Sequence, residues 1–300
     1  MNNNLANYYK YLVLIPGVLF GLFFIFKTGV TSSLSKQFTL SDDVMISMTY
    51  AKTLAESGSF VWYESSPRVQ GYTNFLWTIF LTLIHLFNLS GSFNALFVSL
   101  LNLILLILCA ITVIEILHTI NPDKKNQNLF FGSLILIQYP LIFWSYRGFE
   151  VPLFLLCLIL LLNNFLKIES ETNIYNIKKY IIKNTIFSIV GFLTRLDFLI
   201  PLAVMNILFL FRNFKNKDIF KIFFISNVFS FLTFVSLLLF QKNYYGSFLP
   251  NTYYLKIGGF SLLEKIPRGI FSTGKIIPLI FLIYFMIIFS SKKIRSKYEY

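Results

Sequence analysis

Long apolar runs alternate with short polar connectors along the whole chain. The runs cover roughly residues 11–27, 94–118, 129–146, 151–166, 180–194, 198–212, 219–240 and 276–291. A helix that crosses a bilayer needs about 20 apolar residues, with a usual minimum near 17. Several runs sit close to or below that length, and short spans of this kind border water-filled cavities or re-entrant loops. The pattern predicts an all-α polytopic membrane protein with about eight spans in a single domain over residues 1–300. The first run, Tyr11 to Phe26, lacks a small-residue cleavage site and precedes further spans, so it reads as a retained anchor.

One more run, Tyr72 to Leu89, is kept out of the spans because of the charges around it. Orientation follows the bias of Lys and Arg in short loops. With 72–89 lying on the outer surface, the inner loops collect 15 of the 26 cations, among them Lys124, Lys125, Lys178, Lys179 and Lys183. If that run crossed instead, the inside would keep only 8. Both termini are then expected in the cytoplasm. Residues 28–93 form a long first extracytoplasmic loop, with 72–89 as a juxtamembrane or re-entrant helix, and residues 241–275 form a second substantial one.

Within the first loop, Asp43 to Glu56 reads as an amphipathic helix, because Ile46, Tyr50 and Leu54 recur at i, i+4 and i+8. Ser41 or Asp42 supplies its N-cap, and Gly58 follows its end. Pro67 and Gly71 then turn the chain into the apolar helix.

Composition agrees with a lipid-embedded chain. It is 56% hydrophobic and 13% charged, against about 25% charged for a soluble domain. The net charge of +13 does not point to nucleic acid, since the cations fall in short loops and no basic face or base-stacking module appears. Cys109 and Cys157 lie inside apolar runs with no metal-ligand spacing, and His85 and His118 each stand alone.

The favoured topology places the unusual polar motifs on one side. They are Asp42-Asp43, Arg68, Arg147 with Glu150, Arg195 with Asp197, and the stretch from Asn243 to Lys256. Ionisable groups at the ends of spans are costly and mark sites. Each motif also has a plainer reading. The acid pair suits a helix N-terminus, worth about 0.3–1 kcal/mol. Arg147 and Glu150 are spaced as an i, i+3 surface pair. Thr194 to Asp197 suits a capped turn. Tyr244, Tyr245, Tyr253 and Tyr254 suit an interfacial aromatic belt.

Several of these residues also fall in an ordered set of motifs. The first is Asp42-Asp43-Val44-Met45-Ile46-Ser47-Met48-Thr49-Tyr50-Ala51, followed by Arg68-Val69-Gln70-Gly71-Tyr72-Thr73-Asn74-Phe75-Leu76-Trp77. Downstream come Gly148-Phe149-Glu150-Val151-Pro152-Leu153-Phe154, then Leu193-Thr194-Arg195, then Tyr244-Tyr245-Gly246 through Pro250-Asn251-Thr252 to Lys256. The set resembles the GT-C membrane glycosyltransferases that take sugars from polyprenyl-phosphate donors, in particular the cell-wall arabinofuranosyltransferase-like group. It departs from that group at Thr49, Gln70, Val151 and Leu196-Asp197, and the group's usual C-terminal region has no counterpart here.

The resemblance implies sugar transfer at the extracytoplasmic face of the plasma (inner) membrane, to a glycan, lipid or protein acceptor. It implies that Asp42 is the general base, with Asp43 positioning the acceptor. Arg68, Arg147, Arg195 and Lys256 would meet the donor phosphate. Tyr72, Asn74, Glu150, Asp197, Tyr245 and Asn251 would complete the substrate site. Some related enzymes bind a divalent cation, but the sequence has no dedicated cluster for one. Two other classes stay open, a lipid-linked-sugar transporter or flippase and a non-catalytic or truncated membrane scaffold.

Overall fold

The computed structural model describes residues 12–31, 36–87, 89–213, 216–257 and 261–274. The chain divides into two units, residues 1–252 and 253–300. In the first unit a short helix, α1 (Ile15–Thr28), leads into a two-stranded antiparallel ribbon, β1 (Val30–Thr31) and β2 (Lys36–Gln37). Then come α2 (Asp42–Ser57), α3 (Phe75–His85), α4 (Gly91–Ile120), α5 (Lys125–Ser133), α6 (Tyr139–Tyr146), α7 (Val151–Ser170), α8 (Ile174–Thr194), α9 (Leu199–Asn213) and α10 (Lys217–Tyr245). Helix α11 (Asn251–Ile257) runs across the boundary, and α12 (Leu262–Gly274) belongs to the second unit.

Local chemistry sets the helix ends. Ser90, Asn173 and Asn216 cap α4, α8 and α10 by accepting from the backbone N–H groups of Phe93, Tyr175 and Ile219. Helix α2 follows Ser41 in extended geometry and closes on Gly58, whose left-handed φ of 70° lets its N–H reach Leu54 O. The expected helix from Asp43 to Glu56 is therefore present, longer by one residue at each end. Gln138 is extended and Pro140 stands two residues on, so the run 129–146 is not one helix. Its two parts, Lys125–Ile137 and Tyr139–Tyr146, meet at a 48° bend.

Among the described residues three helices are long and apolar enough to cross a membrane: α4, α7 and α10. The bent pair would make a fourth if counted as one span. This is a helical membrane-type architecture, with fewer continuous spans than the eight apolar runs suggest. Helices α1 and α9 have 14 and 15 residues, about 21–23 Å at 1.5 Å per residue, against a hydrocarbon core of about 30 Å. The run 180–194 is only the later part of α8, whose first half carries Lys178, Lys179 and Lys183. The run 276–291 lies outside the described residues.

The main core joins the α2–α3 hairpin to the bundle. Val44, Met48 and Ala51 of α2 and Trp77, Leu81 and Ile84 of α3 pack with Ala95 and Val98 of α4, Leu153 and Cys157 of α7, and Phe192 of α8. Burying such side chains favours the packed state by about 1.5–3 kcal/mol each, so the hairpin is an integral layer of the bundle. Both ends of α3 are tied to that bundle. Asn74, before its first residue, donates to Glu150 at the start of α7. His85, its last, pairs with Asn94 in the opening of α4. At 11 residues, about 16 Å, α3 is not among the helices long enough to cross a membrane.

Candidate functional site

The site starts from backbone carbonyls that no helix uses. Helix α6 ends at Tyr146 and α7 begins at Val151, and the turn between them exposes acceptors on three sides. Ser99 donates to Tyr146 O at 2.8 Å. Asn102 donates to Ser145 O at 2.6 Å and to Phe149 O at 3.0 Å. Trp77 Nε1 donates to Gly148 O at 3.0 Å, and the Ser41 N–H donates to Arg147 O at 3.0 Å. Gly148 holds a φ of +95°, and a Cβ there would lie 2.9 Å from Leu40 and 3.0 Å from Val44. The turn thus seats the start of α2, and Asp42 and Asp43 follow as its first two residues, both exposed. Ser41 makes no side-chain cap hydrogen bond, so its backbone bond to Arg147 O is what ties the start of α2 to the turn.

Next to that turn, Glu150 is 1% exposed. A buried carboxylate persists only when paired and hydrogen-bonded. Its Oε2 accepts from Asn74 Nδ2 at 2.8 Å, and its Oε1 accepts from Arg195 at 2.7 Å. Arg195 also donates through Nε and a terminal nitrogen to Asp197 at 3.0 Å each. Those bonds to Asp197, with the one to Glu150, hold the guanidinium above the ordinary arginine range against the opposing pull of burial. Asn74 Oδ1 accepts from Ser47 at 2.8 Å and from Thr78 at 3.1 Å. One polar line therefore runs Ser47, Asn74, Glu150, Arg195, Asp197, from the buried face of α2 to solvent.

Arg147 does not make the i, i+3 pair with Glu150 that the spacing allowed. Its guanidinium lies 5.1 Å over the Phe143 ring, and its Nε is buried without a hydrogen-bond partner among the described residues.

A second group stands on the other flank of α2. Tyr72, 2% exposed, stacks on Phe60 at 4.6 Å and shares a 3.1 Å hydrogen bond with the Tyr245 hydroxyl. Burial, reinforced by Tyr245, pushes the Tyr72 phenol well above its ordinary value. Tyr245 donates to Phe60 O at 2.8 Å, and Tyr244 accepts from the Phe60 N–H at 2.9 Å. Arg68 lies 4.7 Å over the Tyr244 ring. The Asn251 N–H donates to Gln70 O at 2.9 Å. Tyr72 and Tyr245 thus spend their hydroxyls on assembling the loop, which differs from the ligand-facing role expected of them. Lys256 lies in α11, and its side chain is outside the described residues.

The structure therefore gathers Asp42, Asp43, Asn74, Arg147, Glu150, Arg195 and Asp197 around one turn. Arg68, Tyr72, Tyr245 and Asn251 form an aromatic flank beside it. Ser47 and Trp77 fell inside the quoted motifs without an assigned role, and Thr78, Ser99 and Asn102 were not singled out from sequence, yet all five hold the frame. Asn102 carried a signal, being an amide in the middle of an apolar run.

An apolar cavity of about 330 Å³ opens between α8, α9 and α10. Phe192, Leu199, Leu202, Phe231 and Phe234 line it, with Asn206, Asn227 and Ser230 as its polar part. Phe192 and Leu199 flank the Arg195–Asp197 turn in the chain, so the cavity begins beside the polar line.

No family model, curated protein or solved structure matches the chain. The function is therefore argued from the site and the motifs. For a divalent cation the donor set is short. Asp42 and Asp43 are adjacent acids, and no group of three or more His, Cys, Asp or Glu suited to a metal occurs among the described residues.

Proposed function

We propose that this protein is an inverting GT-C-type glycosyltransferase of the inner membrane. It moves a sugar from a polyprenyl-phosphate donor to a cell-envelope glycan, lipid or protein acceptor on the extracytoplasmic side. One observation carries the reading: an exposed acid pair is pinned by the Ser41–Arg147 backbone bond to the same turn that presents Arg147 and leads into the Glu150–Arg195 pair.

In this reading the acceptor hydroxyl attacks the anomeric carbon while Asp42 takes its proton, and Asp43 orients the acceptor. The bond from the anomeric carbon to the phosphate oxygen breaks, and its electron pair leaves with the polyprenyl phosphate. Guanidinium groups aimed at that growing charge act most strongly where water is scarce. Arg147 has an Nε with no hydrogen-bond partner among the described residues, and Arg195 is held charged and half-buried by Glu150 and Asp197, in the turn between the cavity-lining Phe192 and Leu199. That cavity suits part of an isoprenoid tail. Direct displacement inverts the anomeric centre. The shorter helices then complete a bundle of about eight spans.

The test is transfer by purified protein in vesicles, using a set of polyprenyl-phosphate sugars. Asp42→Asn is expected to lower turnover by about 10²–10⁴-fold, the usual worth of a positioned base, while the protein still inserts and folds. Full activity in both Asp42→Asn and Asp43→Asn would end the carboxylate mechanism.

A transporter of lipid-linked sugar is the second reading. It is favoured by an amide and hydroxyl seam inside the bundle, where Asn164 donates to Asn184 and Asn206 donates to Asn227. Ser188, Ser226 and Ser230 line the same interior. Flipping of a labelled lipid-linked sugar without transfer would select it.

A further inference from the structure

Helix α12 is built differently from the others. It starts with one half of a capping box, the Ser261 N–H donating to Glu264 Oε2 at 2.9 Å, while the Glu264 N–H meets the Ser261 backbone carbonyl at 3.1 Å. Its apolar positions, Leu263, Ile266, Ile270 and Phe271, recur at helical spacing along one side. These four are 83%, 57%, 65% and 73% exposed. Position 268, an Arg, falls on the other side, and Glu264 borders the apolar face next to Phe271. Thirteen residues reach only about 20 Å, too short for a hydrocarbon core of about 30 Å. Pro267, inside the helix, leaves one carbonyl without its helical N–H.

We infer that α12 lies in the plane of the membrane surface, with Leu263, Ile266, Ile270 and Phe271 among the lipid chains and Arg268 among anionic headgroups. Two observations identify the bilayer as what covers this face. The apolar run 276–291 follows after a single residue, Lys275, and α10, long and apolar enough to span, ends at Tyr245. Lipid is thus within reach on both sides in the chain. Residues 262–275 also carry Lys265, Arg268 and Lys275 against one acid, Glu264, a balance that complements anionic lipid. The inference holds whichever reaction, if any, the main site performs.

The test is depth measurement on the full chain in vesicles. Cys109 and Cys157 are buried, so nitroxides can be directed to Leu263→Cys, Ile270→Cys and Arg268→Cys. In vesicles of phosphatidylethanolamine with phosphatidylglycerol, labels at 263 and 270 should collide with oxygen and be shielded from an aqueous nickel chelate. They should sit roughly 5–10 Å into the interface, while the label at 268 should meet the chelate. Free access of the chelate to 270, a label at the bilayer midplane, or shielding from both reagents would each overturn the inference. The last of these is the mark of a protein cover. Arg268→Glu should raise chelate access to 270 in phosphatidylglycerol vesicles and leave it unchanged in phosphatidylcholine. Equal effects in both would overturn the role given to charge.

Discussion

Glu150 is shut away from water and held from opposite sides by an amide and a guanidinium. Removing one partner of a buried pair typically costs 3–5 kcal/mol, because the other charge is stranded. The Arg195 side chain is 38% exposed, so solvent screens part of this. Arg195→Ala is expected to destabilise by about 2–3 kcal/mol, and Glu150→Gln by less, since an amide still meets Asn74. Chemical denaturation in detergent micelles would measure both, and equal stability of Arg195→Ala and the parent would remove the pair from the framework. The importance of Glu150 was legible in the sequence as an acid at the head of an apolar run, but its partner was not. Spacing suggested Arg147, three residues earlier. That rule holds only inside a continuous helix, and Gly148 breaks the helix between the two with its left-handed turn. The true partner, Arg195, is 45 residues away in the chain, beyond any local pattern.

At the level of elements, the contact that matters most is the seating of α2 on the turn after α6. Gly148→Ala adds a methyl within 3.0 Å of Leu40 and Val44 and holds a non-glycine residue at positive φ. A loss of about 1–3 kcal/mol is expected from overpacking alone. The proteolysis rate of the 28–93 loop should rise with it, and an unchanged rate would show that α2 is held elsewhere. Helix α3 carries its own pH dependence. Burial lowers the pKa of His85 below the ordinary 6.5. The unfolded chain therefore binds this proton first, and stability present above about pH 6.5 is lost as pH falls through the lower folded value. Thermal unfolding across that window should show the loss, and His85→Gln should flatten it. Helix α2 was easy to read, because its apolar spacing and Gly58 both follow from local rules. The bend after Ile137 was also written in the chain, at Pro140, but hydropathy averages over a single proline.

For the whole molecule, hydropathy located the helices well and measured them badly. It scores how apolar a stretch is, whereas span length depends on where caps and turns fall. Asn173 starts α8 in a lysine-bearing stretch, and the turn Arg195–Phe198 separates α8 from α9. The sidedness of the fold can be checked with single cysteines at Ser66 and Asn126. A membrane-impermeant thiol reagent added to intact cells should label the first and spare the second. Labelling of both, or neither, would undo the arrangement of loops. The tyrosine hydroxyls at the end of α10 have a further consequence. Tyr244 and Tyr245 grip both the amide and the carbonyl of Phe60, as a neighbouring strand would. The lip carrying the acids and the last long column of the first unit are thereby stitched together. Any opening that admits a bulky carrier must either unpick this stitch or pivot both pieces as one.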